Sequence, residues 1–317
     1  MIEKNAVFRI YVLQIAGFRQ IFADRGACGK VRAGRGIAGV ENPFPHPCCL
    51  WKSPAAATRL NKNEGSGIMK FSYHDTVKWH DTDANRRVRP SQILTYMQEA
   101  ANLQMAANKK NLDKLRDEEG LAFLLSRISI RIYDQLHAYD PFDSETWICE
   151  GRGAACNRCF RILREGETVA EALSVWALMD IRAHKLVRAS SFDHGFPGDE
   201  PLTLPDLPVR FPVPALSDMT LVGERKIVYS DLDYNGHMNN TRYPDMLCDF
   251  TDGILSREVR GVTLSFLHEA AFGRTLKIYR LDRGEEHLFR TVDADGTTCL
   301  EARLLTNPVK DLTGEGA

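Results

Sequence analysis

The feature that most restricts this chain is that it repeats itself. Residues Val77–Val88 read V-K-W-H-D-T-D-A-N-R-R-V, and Ile227–Met238 read I-V-Y-S-D-L-D-Y-N-G-H-M. At an offset of 150 residues, Asp81 falls on Asp231, Asp83 on Asp233 and Asn85 on Asn235. Trp79 falls on Tyr229 and Arg87 on His237. Identities in one D-x-D-x-N frame point to two copies of one module.

The segments after the two motifs agree as well. Pro90 suits a first helical position, and Leu94, Met97, Ala101 and Met105 then share one face at helical spacing. In the second copy Tyr243, Met246, Leu247, Phe250 and Ile254 do the same. Both stripes read first as core packing. The period then drops to two. Ile128, Ile130 and Ile132 alternate with Ser129 and Arg131, and Val262, Leu264 and Phe266 with Thr263 and Ser265. Strands Cys159–Leu163 and Thr168–Asp180 flank a turn at Gly166, and Leu288–Val292 and Cys299–Leu305 flank Asp295-Gly296, a strong hairpin signal. Each half therefore predicts an opening strand, one long helix and several antiparallel strands, an α+β module whose sheet wraps its helix.

The expected organisation is a first module over 69–192, a Pro-rich linker over 193–218, a second module over 219–308 and a tail over 309–317. The linker carries Pro197, Pro201, Pro205, Pro208, Pro212 and Pro214, which favour a semi-rigid extended path. Residues 1–68 obey other rules. They hold ten Lys/Arg against four Asp/Glu, whereas the rest holds 31 against 38. Their Gly and Pro density breaks regular structure. Arg19 and Asp24 spoil the apolar core of a secretory signal, and two serines are few for an organellar transit peptide. The folded body is expected to start near Met69.

The net charge of −1 supplies no global basic field for nucleic acid. No stretch is long and apolar enough for a membrane-spanning helix. The eight cysteines show no framework spacing, and a body this size does not need disulfides, which points to a reducing, cytoplasmic setting. Cys156 and Cys159 are three apart on an apparent strand and face opposite sides, so they make a poor metal pair. No cofactor or metal is implied.

The string Ser230-Asp-Leu-Asp-Tyr-Asn-Gly-His-Met-Asn-Asn-Thr-Arg-Tyr resembles the acyl-ACP thioesterase family, as do Trp176-Ala-Leu-Met-Asp and Leu264-Ser-Phe-Leu-His-Glu. The resemblance spans roughly 70–307 and is closer to the bacterial branch. It implies a tandem hotdog fold and hydrolysis of acyl-[acyl-carrier-protein] to free fatty acid and carrier, with acyl carrier protein as partner. It carries the family's catalytic set onto Asp233, Asn235, His237 and Glu269. The plant enzymes have a cysteine just after that glutamate. Here the residue is Ala270, which favours a carboxylate and water over a thiol nucleophile.

The residue types suit that chemistry. Glu269 is the candidate base or direct nucleophile, Asn235 an oxyanion donor or water holder, His237 a charge stabiliser or proton relay, and Asp233 their orienter. Adjacent His268 and Glu269 face opposite ways on a strand, against a shared metal site. Arg87 cannot act as an acid–base group near neutral pH, so one active site per chain is expected. The first module then supplies the acyl tunnel, with Leu94, Met97, Met105, Ile128 and Ile130 as candidate walls. An acidic carrier calls for a basic patch, and Arg158, Arg161 and Arg164 are the chosen docking candidates. An acyl-CoA thioesterase, a hotdog dehydratase (from His194-Gly-Phe-Pro) and a non-catalytic acyl-binding module are the competing readings, and a homodimer is left open.

Overall fold

The computed structural model describes residues 58–62, 69–108, 112–192 and 198–309. Most of the N-terminal segment, the start of the linker with His194, and the tail beyond Val309 lie outside the described residues. A short strand β1 (Thr58–Lys62) pairs antiparallel with β2 (Met69–Thr76), so the sheet reaches further back than the Met69 start expected from composition.

The first module continues with helix α1 (Pro90–Ala107), a short helix α2 (Leu112–Asp117) and strands β3 (Leu121–Ile132), β4 (Pro141–Arg152), β5 (Ala155–Arg164) and β6 (Glu167–Asp180). A two-residue strand β7 (Lys185–Leu186) pairs with β6. The second module runs β8 (Thr220–Lys226), helix α3 (Tyr243–Asp249), β9 (Arg257–Phe266), β10 (Thr275–Arg283), β11 (Glu286–Val292) and β12 (Thr298–Pro308). The strand order is β1-β2-β4-β5-β6-β3-β9-β12-β11-β10-β8. Read from the middle outward, the two halves mirror one another. This is the tandem hotdog: one antiparallel sheet made of two like half-sheets, each with a helix against its inner face.

The seam is the β3–β9 pair, in register from Arg127↔Ser265 to Arg131↔Gly261. At its centre the buried hydroxyls of Ser129 and Thr263 lie 3.0 Å apart and satisfy one another. The inner face forms one core shared by both modules, with Leu94, Met97, Ile128 and Ile130 from the first and Met246, Val262, Leu264 and Phe289 from the second. The helices are tied together too. Asp245 of α3 accepts from Ser91 N at 3.2 Å and Ser91 Oγ at 2.7 Å, so the carboxylate caps the start of α1 from the opposite module.

The expected long helix of the second half is cut short. α3 ends at Asp249, and Phe250 and Ile254 lie beyond it. Thr251 Oγ1 bonds back to Leu247 O, the guanidinium of Arg280 binds Phe250 O, and Gly253 turns left-handed at φ 66°. A Thr-Asp-Gly run favours this ending over continuation.

The described part of the linker lies along the outer face of the first half-sheet. Asp199 N donates to Ile148 O, Trp147 Nε1 to Glu200 O, and Leu202 packs beside Trp147, Cys149 and Cys159. Leu207 is buried against Gly261, where a β-carbon would come within 2.9 Å of it. Among the described residues no helix is long and apolar enough to cross a membrane.

Candidate active site

The repeated motif builds the same loop twice. In the second module Asp233 Oδ1 accepts from Asn235 N at 2.8 Å and His237 N at 3.4 Å. Asp233 N donates to His237 O at 2.9 Å, and Gly236 N to Asp233 O at 3.1 Å. Asp233 therefore braces the loop through its backbone amides, rather than through the side chains it was expected to orient. Gly236 takes φ 83°, a conformation that favours glycine. Beneath the loop, buried Asp231 accepts from Val228 N at 3.0 Å and pairs with Arg225 at 2.5 Å.

This loop returns along the segment after β9. Met238 N donates to Ala270 O at 2.9 Å, and His237 bridges Ala271. The pairing lays Glu269 beside His237, with Nε2 3.2 Å from Oε2. His237 is buried, whereas Glu269 remains reachable by solvent, with 29% of its side chain exposed. Burial, then the negative charge of Asp233, pushes the Glu269 carboxyl up to about 7. Burial lowers the His237 pKa, partly opposed by Asp233. A neutral imidazole thus faces a carboxyl poised near neutrality.

Asn235 is exposed, and its side chain has no protein partner among the described residues. His268 turns away and binds Thr298 O through Nδ1 at 2.7 Å. Cys156 and Cys159 both lie in β5, and the Cys159 sulfur sits 3.3 Å from that of Cys149 instead. No cluster of metal-ligating side chains occurs among the described residues.

The first module repeats the frame without the chemistry. Asp83 Oδ1 accepts from Asn85 N at 2.8 Å and Arg87 N at 3.0 Å, and Arg86 takes the left-handed place of Gly236 at φ 64°. Val88 N donates to Leu136 O and Arg87 bridges His137, the counterparts of Met238–Ala270 and His237–Ala271. Gln135 therefore occupies the place of Glu269. Its side chain donates to Val259 O at 3.1 Å. Arg87 is buried between Asp83 and Glu258, each 3.7 Å away. The Asn85 amide is tied to Leu255 O at 2.9 Å, a restraint its counterpart Asn235 lacks. The repeat offset of 150 could not reveal Gln135, because intervening loops differ in length and its true offset from Glu269 is 134.

A cavity of about 630 Å³ opens in the first module, lined by Met105, Leu112, Phe123, Ile148, Trp176 and Phe192 among others. Of the expected tunnel walls only Met105 lines it. Leu94, Met97, Ile128 and Ile130 are consumed in the shared core, because helix and sheet pack directly upon one another there. The wall of the cavity at Leu112 is linked to the Asp233–His237 loop. Leu112 begins α2, whose Arg116 lies over the Tyr234 ring at 5.1 Å. Phe123 belongs to the end of β3 toward which β9 runs before Glu269.

The expected docking arginines do not form a free patch. Arg158 is 8% exposed and points inward with Phe160 and Ile162. Arg161 is bound by Glu171 at 2.6 and 2.9 Å. Arg164 binds Asp134, Asp140 and Gln135 O. Strand pleating sends Arg158 and Arg161 to opposite faces, which three-residue spacing should have indicated.

Two family descriptions match the sequence: the acyl-ACP thioesterase N-terminal domain over residues 69–191 and the acyl-ACP thioesterase C-terminal domain over 218–298. The fold is similar to an acyl-ACP thioesterase from Bacteroides thetaiotaomicron, at 20% identity and TM-score 0.68, over 75% of this chain and 98% of that one. It is also similar to the 12:0-ACP thioesterase from Umbellularia californica, at 18% identity and TM-score 0.64, over 75% and 97%. No curated relative matches the sequence.

Proposed function

The chain belongs to the acyl-ACP thioesterase family, and on that basis we propose that Glu269 and His237 are the working pair of its acyl-ACP hydrolysis. The observation that carries the assignment is the 3.2 Å contact between His237 Nε2 and Glu269 Oε2, with the carboxyl held at about 7. A base with a pKa near working pH combines sufficient basicity with a sufficient ionised fraction.

Ionised Glu269 takes a proton from water as the water oxygen adds to the thioester carbonyl. The carbonyl oxygen becomes an oxyanion, and the unpartnered Asn235 amide is the donor aimed at it. Neutral His237 packs its Nε2 3.2 Å from the second carboxylate oxygen and limits the orientations open to Glu269 without neutralising it. Collapse of the tetrahedral intermediate breaks the carbon–sulfur bond. The departing phosphopantetheine thiolate recovers the proton from Glu269, leaving free fatty acid and carrier thiol. Asp233 acts one step back, by fixing the backbone that presents Asn235 and His237. Ala270 supplies no thiol, so the sequence offers no cysteine nucleophile next to the base.

The cavity in the first module is the proposed acyl site. Its volume suits a small-molecule pocket and its lining is largely apolar. The buried pairing of Arg87 with Glu258, and Gln135 in the base's place, support a binding role for that half.

The test is turnover of acyl-ACPs of graded length by variants verified as folded. Glu269→Gln is expected to lower kcat by at least about 10²-fold, and Asn235→Ala by roughly 10²–10³-fold, typical of a lost oxyanion donor. A folded Glu269→Gln protein that turns over acyl-ACP near the wild-type rate removes Glu269 from the mechanism. Activity on acyl-CoA of the same length equal to that on acyl-ACP would favour the broader thioesterase reading.

A further inference from the structure

The cavity in the first module is not lined like a simple hydrocarbon tunnel. Arg158 stands in its wall, 8% exposed. Its Nη1 donates to Gln104 Oε1 and, at 3.0 Å, to Thr146 Oγ1. Both partners are neutral. Among the described residues Arg158 makes no ion pair, and the polar groups that influence it are the thiols of Cys149, Cys156 and Cys159. Burial pushes its pKa down to about 10, which still leaves it charged at neutral pH. Its Nε and Nη2 have no acceptor among the described residues, yet neither is sealed from the cavity. Gln104 Nε2 is buried and also lacks a partner among those residues.

A buried guanidinium without a counter-charge is strongly unfavourable unless something else satisfies it. Core packing does not explain it, because a methionine would fill the same space without desolvating a charge. Gln104 and Thr146 instead orient the group by one nitrogen and leave its other donors for a ligand. A guanidinium is purely a donor, so the ligand atom must be an acceptor. A saturated chain in this cavity would strip solvent from Nε and Nη2 and return nothing.

We propose that this cavity takes acyl chains bearing an oxygen acceptor along their length (hydroxyl, oxo or carboxylate), and that Arg158 selects them. The inference rests on the reading of the cavity as the acyl site. Met105, Phe123, Ile148, Trp176 and Phe192 hold the hydrocarbon portion, and Arg158 reads the oxygen. Gln104 is a positioning residue that keeps the guanidinium from folding back.

The experiment compares acyl-ACPs of one carbon number, either saturated or carrying a hydroxyl, oxo or terminal carboxyl group at successive positions. For the wild-type enzyme, one oxygenated isomer is expected to exceed the saturated chain in kcat/KM by at least about 10-fold, because an unmet donor penalises the analogue lacking the oxygen. Arg158→Met should abolish or invert that ratio, and Arg158→Lys, which keeps the charge but not the planar fork, should retain part of it. A wild-type enzyme that favours no oxygenated isomer overturns the proposal, and so does a preference that survives in Arg158→Met. Should Arg158→Met fail to fold, the wild-type panel and Arg158→Lys decide the matter. Phe123→Trp narrows the cavity and separates the two readings. If it impairs long chains regardless of oxygen while the panel shows no preference, the cavity remains the acyl site and only oxygen selection fails. If it changes turnover of no chain, the acyl site lies elsewhere and both readings fall.

Discussion

Glu269 should make the enzyme less stable as well as active, and the size of that effect comes from its surroundings. The carboxyl is displaced from an ordinary 4.5 to about 7 by burial and by Asp233. Its folded form holds a proton more tightly than the unfolded chain does. Between those two values the folded state binds more protons, so stability falls as pH rises from about 4.5 through about 7. At about 1.4 kcal/mol per pH unit the shift at full value is roughly 3 kcal/mol, but Glu269 stays solvent-accessible, its side chain 29% exposed, and screening brings the penalty down to about 1–2 kcal/mol once the carboxylate is ionised. Glu269→Gln keeps the shape and a partner for His237 while removing the charge. It is therefore expected to match the wild type near pH 4 and to be more stable by about 1–2 kcal/mol near pH 8. For a folded body of this size that is a melting-temperature gain of several degrees. Urea titrations of both proteins at the two pH values measure the difference directly. In activity the same group should make wild-type kcat/KM rise with pH through an inflection near 7. A variant whose stability difference is flat across pH, or a rate profile without that inflection, refutes the account of Glu269 as a partly desolvated, charge-destabilised base.

Arg87→Ala should change kcat little while lowering stability, because Arg87 braces Asp83 and Glu258 in the module without the reacting groups; turnover and melting measured together check both halves. Ser129→Ala leaves the Thr263 hydroxyl buried without its partner at the module seam, which should destabilise the protein by about 1–3 kcal/mol. The double variant Ser129→Ala/Thr263→Val should lose less than the two single changes together in denaturant titrations. Gly236→Ala forces a side chain into φ 83°, with an expected loss of about 1–3 kcal/mol and a fall in kcat as the Asn235–His237 presentation distorts. Gly236→Asn, which tolerates that region better, should recover part of both in the same assays.

Features that depend on near neighbours along the chain were legible without any structure. The repeated D-x-D-x-N frame is legible because its hydrogen bonds run between residues two to four apart, and it folds the same way in both modules. The helical stripe of Leu94–Met105 and the alternation around Ile128 and Val262 were legible for the same reason: helix and strand periods are local. The D-x-N-x-H spacing and an acidic residue shortly after the apolar run Val262–Phe266 brought the candidate set into view before its geometry, although Glu269 lies just past the strand on which it was expected. Packing in three dimensions settled everything that required knowing which face meets which. The facing of Arg158 came from strand register, which turned an expected docking residue into a buried wall of the cavity. Leu94, Met97, Ile128 and Ile130 became core because α1 packs flat on the sheet there, while only Met105 reaches the open space. Gln135 could be matched to Glu269 only through the equivalent backbone pairings of Leu136 and Ala270. The second helix stopped at Asp249 because of its Thr-Asp-Gly ending and a carbonyl cap by Arg280, and that distant arginine lies on a strand no helical period could announce. The approach of His237 to Glu269, and with it the poised carboxyl, exists only once the loop returns beside the segment after β9. Proximity between residues thirty-two apart in the chain is a property of the fold, and so is the low-dielectric surrounding that shifts their protons.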